Sequence, residues 1–185
     1  MAANPKPKQS PDELPESVYL QMGRLLGTPI NSESDAFRLM QKGIPTERYM
    51  VLSKRFRLTA SAVASESTLR RRLLAAQRHM NRVQKALAKR GSTAKSRTTK
   101  EAAKAAAVEV PRLSSLETER LMRITRVVSE ATLLFGDETS ALKWLNTPGD
   151  FLHDENEVTP MKLAETDPGA RIVEALILRT AHGIF

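Results

Sequence analysis

The sequence contains no cysteine, which excludes disulfide bridges and thiolate metal sites and fits a chain kept in a reducing cytoplasm. Aromatic residues are scarce at 4%, while apolar residues as a whole reach 41%. A core must therefore be built from Leu, Ile, Val, Ala and Met, the material of small helical bundles, and the expected fold class is all-α. No apolar run approaches the roughly 20 residues that a bilayer-spanning helix needs, so no membrane partner is expected. The opening MAANPKPKQSPDELPESV has no apolar h-region and reads as a disordered tail rather than a signal peptide.

Acidic residues almost vanish from the middle of the chain. Between Lys54 and Lys100 there are fourteen Lys and Arg against the single acid Glu66, a net +13. Since the whole chain is +8, the remainder sums to −5. Such asymmetry is expected when two regions meet different partners. The basic stretch suggests a polyanion, because each phosphate neutralised by Lys or Arg releases condensed counterions.

The groups that catalysis requires are also missing. His79, His153 and His182 are far apart and none has a helical i, i+4 partner, so a metal site is not expected. There is no cysteine nucleophile, glycine-rich phosphate loop or G-x-S-x-G elbow. Acids crowd Asp150 to Glu157, but without the glycine and alternate-ligand spacing of a calcium loop, and they read as a solvated loop. The expectation is a non-enzyme with no cofactor.

What is present falls into four stretches. Residues 1–31 carry five prolines and are read as a flexible N-terminal arm, with a short helix from about Ser17 to Leu26 allowed. Residues 32–92 form a basic region. Ser34-Asp35 can cap a helix with Phe37, Leu39 and Met40 that stops at Gly43 and Pro45, and a second helix spans about Thr46 to Phe56 on Tyr49, Leu52 and Phe56. A short helix of small residues is expected over Leu58 to Ala64, followed by SESTLRRR opening a third; together they fit a helix-turn-helix. In that third helix Leu69, Leu73, Ala76, Met80, Val83 and Leu87 are spaced 4, 3, 4, 3, 4, a heptad seam that either lines the core or pairs with its copy. Residues 93–112 form a Lys/Ala-rich linker.

Residues 113–185 are the best patterned. Ser114 and Glu117 make a capping box for a helix with Leu116, Leu121, Ile124, Val127, Val128, Ala131, Leu134 and Phe135, closed by Gly136. Asp137 caps the next, through Ala141, Leu142, Trp144 and Leu145; Thr159-Pro160 opens a short one; and Thr166-Asp167-Pro168 starts a last helix with Ile172, Val173, Leu176, Ile177 and Ala181 that stops at Gly183. Four capped helices make a compact domain.

Two surfaces follow. Arg70, Arg71 and Arg72 stand where a recognition helix would enter a major groove, so Ser65, Ser67, Thr68, these arginines and Arg78 are the candidate DNA contacts; the alternative is an ordinary solvated face. Ile184-Phe185, just past the last helix, either form a small apolar plug or fold back on their own domain. Trp144 is expected in the core.

These residues also carry a resemblance. The runs RLMRITRVVSEATLLFGDETSALKWLNTP and TPMKLAETDPGARIVEALILRTAHGIF resemble the C-terminal toxin-binding domain of the Xre/MbcA/ParS antitoxins. The matching features are Arg120, Arg123, Phe135-Gly136-Asp137, Trp144-Leu145-Asn146-Thr147-Pro148, Thr159-Pro160, Gly169-Ala170-Arg171, Arg179 and Gly183. The upstream GIP and SESTLRRR are similar to the Xre-type helix-turn-helix. The resemblance implies an antitoxin whose cognate partner is a RES-domain toxin that degrades NAD or transfers its ADP-ribose. The NAD pocket of that toxin would be blocked near Arg179, His182, Gly183, Ile184 and Phe185, with Trp144 and Arg171 also in the toxin-binding set. It further implies promoter DNA as a second partner, a homo-oligomer (dimer) within a larger toxin-antitoxin complex, and a cytoplasmic location. The chain departs from the family in an acidic LHDENEV where a Gly-Gly is usual, and in the length of Leu73 to Val110. The competing reading is a stand-alone transcription regulator with a C-terminal self-association domain.

Overall fold

Local signals set most of the helix ends. The structure is a computed structural model that describes residues 18–59, 61–90, 111–151 and 157–181. Within them the chain is all-α, with two isolated backbone bridges and no strand. The helices are α1 (Val18–Leu26), α2 (Glu33–Lys42), α3 (Thr46–Phe56), α4 (Glu66–Arg90), α5 (Ser115–Phe135), α6 (Glu138–Leu145), α7 (Pro160–Leu163) and α8 (Asp167–Ala181).

The capping box of α5 is complete: Glu117 N–H donates to Ser114 Oγ, and Ser114 N–H donates back to the Glu117 carboxylate at 2.7 Å. Gly136 ends α5 in the left-handed region at φ 79°, Asp137 accepts from Ser140 N–H to start α6, and Thr159 accepts from Lys162 N–H to start α7. Thr166 Oγ1 accepts from Gly169 N–H in the first turn of α8. The cap of α2 lies two residues earlier than expected, at Ser32, whose hydroxyl accepts from Asp35 N–H.

One sequence expectation is corrected here. Leu58 to Ala64 is not a helix: its described residues form turns and bends, and Ala62, Val63 and Ala64 are all buried. Arg57, in the left-handed region at φ 57°, ends α3, and Ala62 N–H donates to Thr59 O only three residues back, which closes a turn rather than a helical ladder. In the N-terminal arm, the helix allowed near its end is present as α1, which packs on α5, and Met22, Leu25, Leu26 and Ile30 are each 3% exposed or less. Arg48 donates to the Leu25 carbonyl and so satisfies an orphan acceptor at the end of α1.

Helix α5 is the axis of the molecule. Leu121, Ile124, Val127, Val128 and Ala131 on it are fully buried, and α1, α2, α6 and α8 pack around it. Thr125, Ser129 and Thr132 are also buried, and their hydroxyls donate to the carbonyls of Leu121, Thr125 and Val128 one turn back. No partner on another helix is then required of them.

The boundary drawn at 112/113 is crossed by hydrogen bonds. Thr46 N–H donates to Pro111 O and Leu113 N–H to Ile44 O, both at 2.8 Å, while Arg112 reaches Gly43 O at 2.7 Å. Gly43 has φ 76°, and a Cβ there would stand 2.4 Å from Leu113 O, so this close approach needs glycine. The basic region and the C-terminal helices thus share one core.

Candidate functional site

The basic surface lies along α4. Ser65 Oγ accepts from Thr68 N–H and donates to Thr68 Oγ1 at 2.8 Å, which commits both hydroxyls to the helix start, while Ser67 is exposed beside them. Arg70 holds Glu66 at 2.8 Å on the open surface. Arg71 and Arg78, seven residues apart, are exposed and have no ion-pair partner among the described residues. Of the residues singled out for DNA, these two are the cations most available to a phosphate.

Arg72 turns inward. It donates to the Glu117 carboxylate at 2.7 Å, the same group that completes the α5 capping box, and both side chains are more than two-thirds buried. Burial pushes the Glu117 carboxyl up, but the hydrogen bonds from Arg72 and Ser114 outweigh it and hold the group below the usual carboxylate range. Three further contacts tie the same region to the C-terminal helices. Arg55 grips Glu138 with two donors, Thr59 donates through N–H and hydroxyl to Glu165, and Arg120 reaches Val63 O.

On the C-terminal side, Trp144 is half-buried against Phe135, with ring centroids 5.6 Å apart and planes tilted by 44°. The neighbouring Asn146 and Thr147 use their side chains to satisfy the carbonyls of Leu142 and Lys143 at the end of α6. Arg171 is exposed, pairs with Asp167 at 3.3 Å and lines a groove of about 600 Å³ with Tyr19, Phe37, Met40 and Arg123. Phe37, one of the apolar residues expected in this helix, is 56% exposed there. Ala36 and Leu39 take the buried positions of α2 instead. Trp144 does not line this groove. Arg179 is exposed, and His182, Gly183, Ile184 and Phe185 lie outside the described residues.

Several motif residues have structural reasons. Arg123 sits between Glu119 at 3.3 Å and Asp167 at 3.6 Å, joining α5 to α8. Gly169 passes so close to α7 that a Cβ would stand 2.1 Å from Leu163 O. Sequence reasoning missed the groove because its walls come from α1, α2, α5 and α8, which are remote in the chain. Among the described residues there is no cluster of His, Asp or Glu fit to hold a metal and no helix long and apolar enough to cross a membrane.

Comparison with known proteins bears on the same half. Residues 130–183 match the family of antitoxin Xre/MbcA/ParS C-terminal toxin-binding domains. The chain is 39% identical over 75 residues to Antitoxin Xre of Yersinia enterocolitica, covering 40% of this chain and 49% of that protein. It is 38% identical over 69 residues to Antitoxin Xre of Photorhabdus laumondii, covering 37% and 45%. It thus spans about half the length of these curated relatives. From the C-terminal turns of α5 through α8, the chain is similar to a toxin-binding domain of antitoxins.

Proposed function

We propose that this chain is the antitoxin of a type II toxin-antitoxin pair, binding its toxin through the 113–185 half and promoter DNA through α4, and that it is not itself an enzyme. The observation that carries this reading is the match of residues 130–183 to a domain described as toxin-binding. The exposed Arg71 and Arg78 on a strongly basic helix support the DNA arm. In its finer form the partner is a RES-domain toxin acting on NAD. Arg179 and His182 to Phe185 reach the NAD pocket, Trp144 and Arg171 serve as further contacts, and Ile184-Phe185 supply the small apolar anchor on which such interfaces concentrate their energy. The working form is a dimer inside a larger cytoplasmic complex.

The test is co-purification with the product of the adjacent gene, then an NAD-consumption assay on that product with and without this chain. A stable complex that consumes no NAD is expected, and removal of His182 to Phe185 should restore NAD loss while leaving the helical signal unchanged. A complex that never forms, together with salt-sensitive promoter binding, overturns the antitoxin reading in favour of a stand-alone regulator. A complex with a toxin that does not consume NAD overturns only the RES assignment.

A further inference from the structure

Helix α2 buries Ala36 and Leu39 against the core, yet Phe37 between them is 56% exposed. The ring lies with Met40 in the groove of about 600 Å³ that α8 also walls, and the buried Met22 and Met122 line it as well. Unbranched methionines adapt to the shape of an incoming side chain, which suits them to protein-binding surfaces. On α8 the residues Arg171, Glu174 and Leu178 follow at spacings of three and four, so they share a helix face, and Leu178 is 61% exposed. The face that walls the groove thus carries a second open apolar side chain one turn beyond it. On the α4 heptad, by contrast, Leu69 is core, Leu73 is half-buried, and the side chains of Ala76, Met80, Val83 and Leu87 lie outside the described residues.

Charge placement narrows what the groove receives. Its lining holds four carboxylates, Glu33, Glu119, Asp167 and Glu174, against three guanidinium groups. Arg123 is answered by Glu119 and Asp167, Arg126 by Glu130 and Glu174, and Arg171 by Asp167, all within 3.6 Å. A slightly acidic surface whose arginines are already paired gives a phosphate backbone little counterion release, so the duplex that suits α4 does not suit this groove. An apolar protein segment does fit, because its burial requires no new charge pair. Arg171 is 78% exposed and its ion pair is with Asp167, which leaves donors on the rim for an acceptor on that segment.

Position in the chain selects the partner. Asp167, Ala170, Arg171 and Glu174 of the groove belong to the stretch that matches a toxin-binding domain, whereas Phe37 and Met40 lie far upstream of it. We propose that the toxin seats an apolar segment in this groove, so that α2, outside the matched domain, forms part of the toxin interface with Phe37 as its anchor. The proposal rests on the antitoxin reading above and extends its contacts from the 113–185 half onto the N-terminal helices. One partner would then touch both sides of the shared core, and the full interface would exist only with α2 docked on α5.

Calorimetric titration of the full chain with the purified product of the adjacent gene tests it, for the wild type, Phe37→Glu, Phe37→Ala and Val51→Glu, with circular-dichroism melts confirming that each still folds. Val51 is about as exposed as Phe37, at 54%, but stands on α3 and does not line the groove. Phe37→Glu should weaken binding at least about 30-fold, equivalent to about 2 kcal/mol. Phe37→Ala should weaken it less, and Val51→Glu should match the wild type. Affinity unchanged in both Phe37 variants, or lost equally in Val51→Glu, overturns α2 as a toxin contact while leaving the antitoxin reading in place. Sedimentation and promoter titration of Phe37→Glu cover the other occupants: loss of self-association or of DNA binding, with toxin affinity intact, assigns the groove elsewhere and overturns the proposal. A wild type that does not bind the product overturns both the proposal and the reading it rests on.

Discussion

Glu117 serves two elements at once, completing the cap of α5 and receiving Arg72 from α4. Its folded-state pKa is depressed, so the stability it contributes is present above the ordinary glutamate range and is lost as pH falls through the folded value. Urea unfolding between neutral and acid pH should show the wild type losing stability below about pH 4.3 more steeply than Glu117→Gln, which should already be weaker by about 1 kcal/mol at neutral pH. Parallel profiles would remove Glu117 from this role. Gly169 gives a sharper case, since the atom a Cβ would strike is the backbone carbonyl of Leu163, which has little room to yield. Gly169→Ala should cost roughly 2 kcal/mol or more and lower Tm, and an unchanged melt would contradict the packing described. The capping role of Glu117 is legible three residues from Ser114, whereas its pairing with Arg72, 45 residues away, is not. Caps are local chemistry, and ion pairs across elements depend on how those elements dock.

At the scale of elements, α4 divides into an inward and an outward set of cations. Arg72 belongs to the first, Arg71 and Arg78 to the second. Promoter titration by fluorescence anisotropy over a salt series should therefore separate them. Arg71→Ala and Arg78→Ala should each reduce the log-log salt slope by about one for every phosphate that the arginine neutralises, and Arg72→Ala should leave the slope while lowering the unfolding midpoint. A slope change for Arg72→Ala equal to the others would place it on the DNA instead. The helices themselves were mostly readable, because Ser114, Gly136, Asp137 and Thr159 act on their own neighbours. The stretch Leu58 to Ala64 misled, since small residues are compatible with a helix, whereas the fold turns the chain there, with Arg57 left-handed at the end of α3 and Ala62 N–H bonded back to Thr59 O.

For the whole molecule, the decisive fact is that α1 and α2 pack on α5, whose last turns already belong to the antitoxin-like region. Met22, Leu25, Leu26, Ile30 and Leu39 are all buried in that shared core. At about 2 kcal/mol for each buried apolar side chain they contribute on the order of 10 kcal/mol, as much as the net stability of a typical domain. A fragment of residues 113–185 alone is thus expected to lose cooperative unfolding. Adding back residues 18–59 as a separate chain should recover helicity, as read by circular dichroism and urea titration. A fragment that unfolds cooperatively by itself would show that the C-terminal helices need no support from α1 and α2.

The sequence alone determined the helical class, the caps, the basic middle and the motif order that resembles an antitoxin domain, because each depends on residue type and on spacing within a few turns. Only the tertiary structure decided that Met22, Leu25, Leu26 and Ile30 are core, that Phe37 faces a groove shared with Arg171, and that Arg72 is held by Glu117. The physical reason is the same for all three. Burial and ion pairing are properties of surfaces brought together by the fold, and an amphipathic segment does not specify which distant surface will cover it.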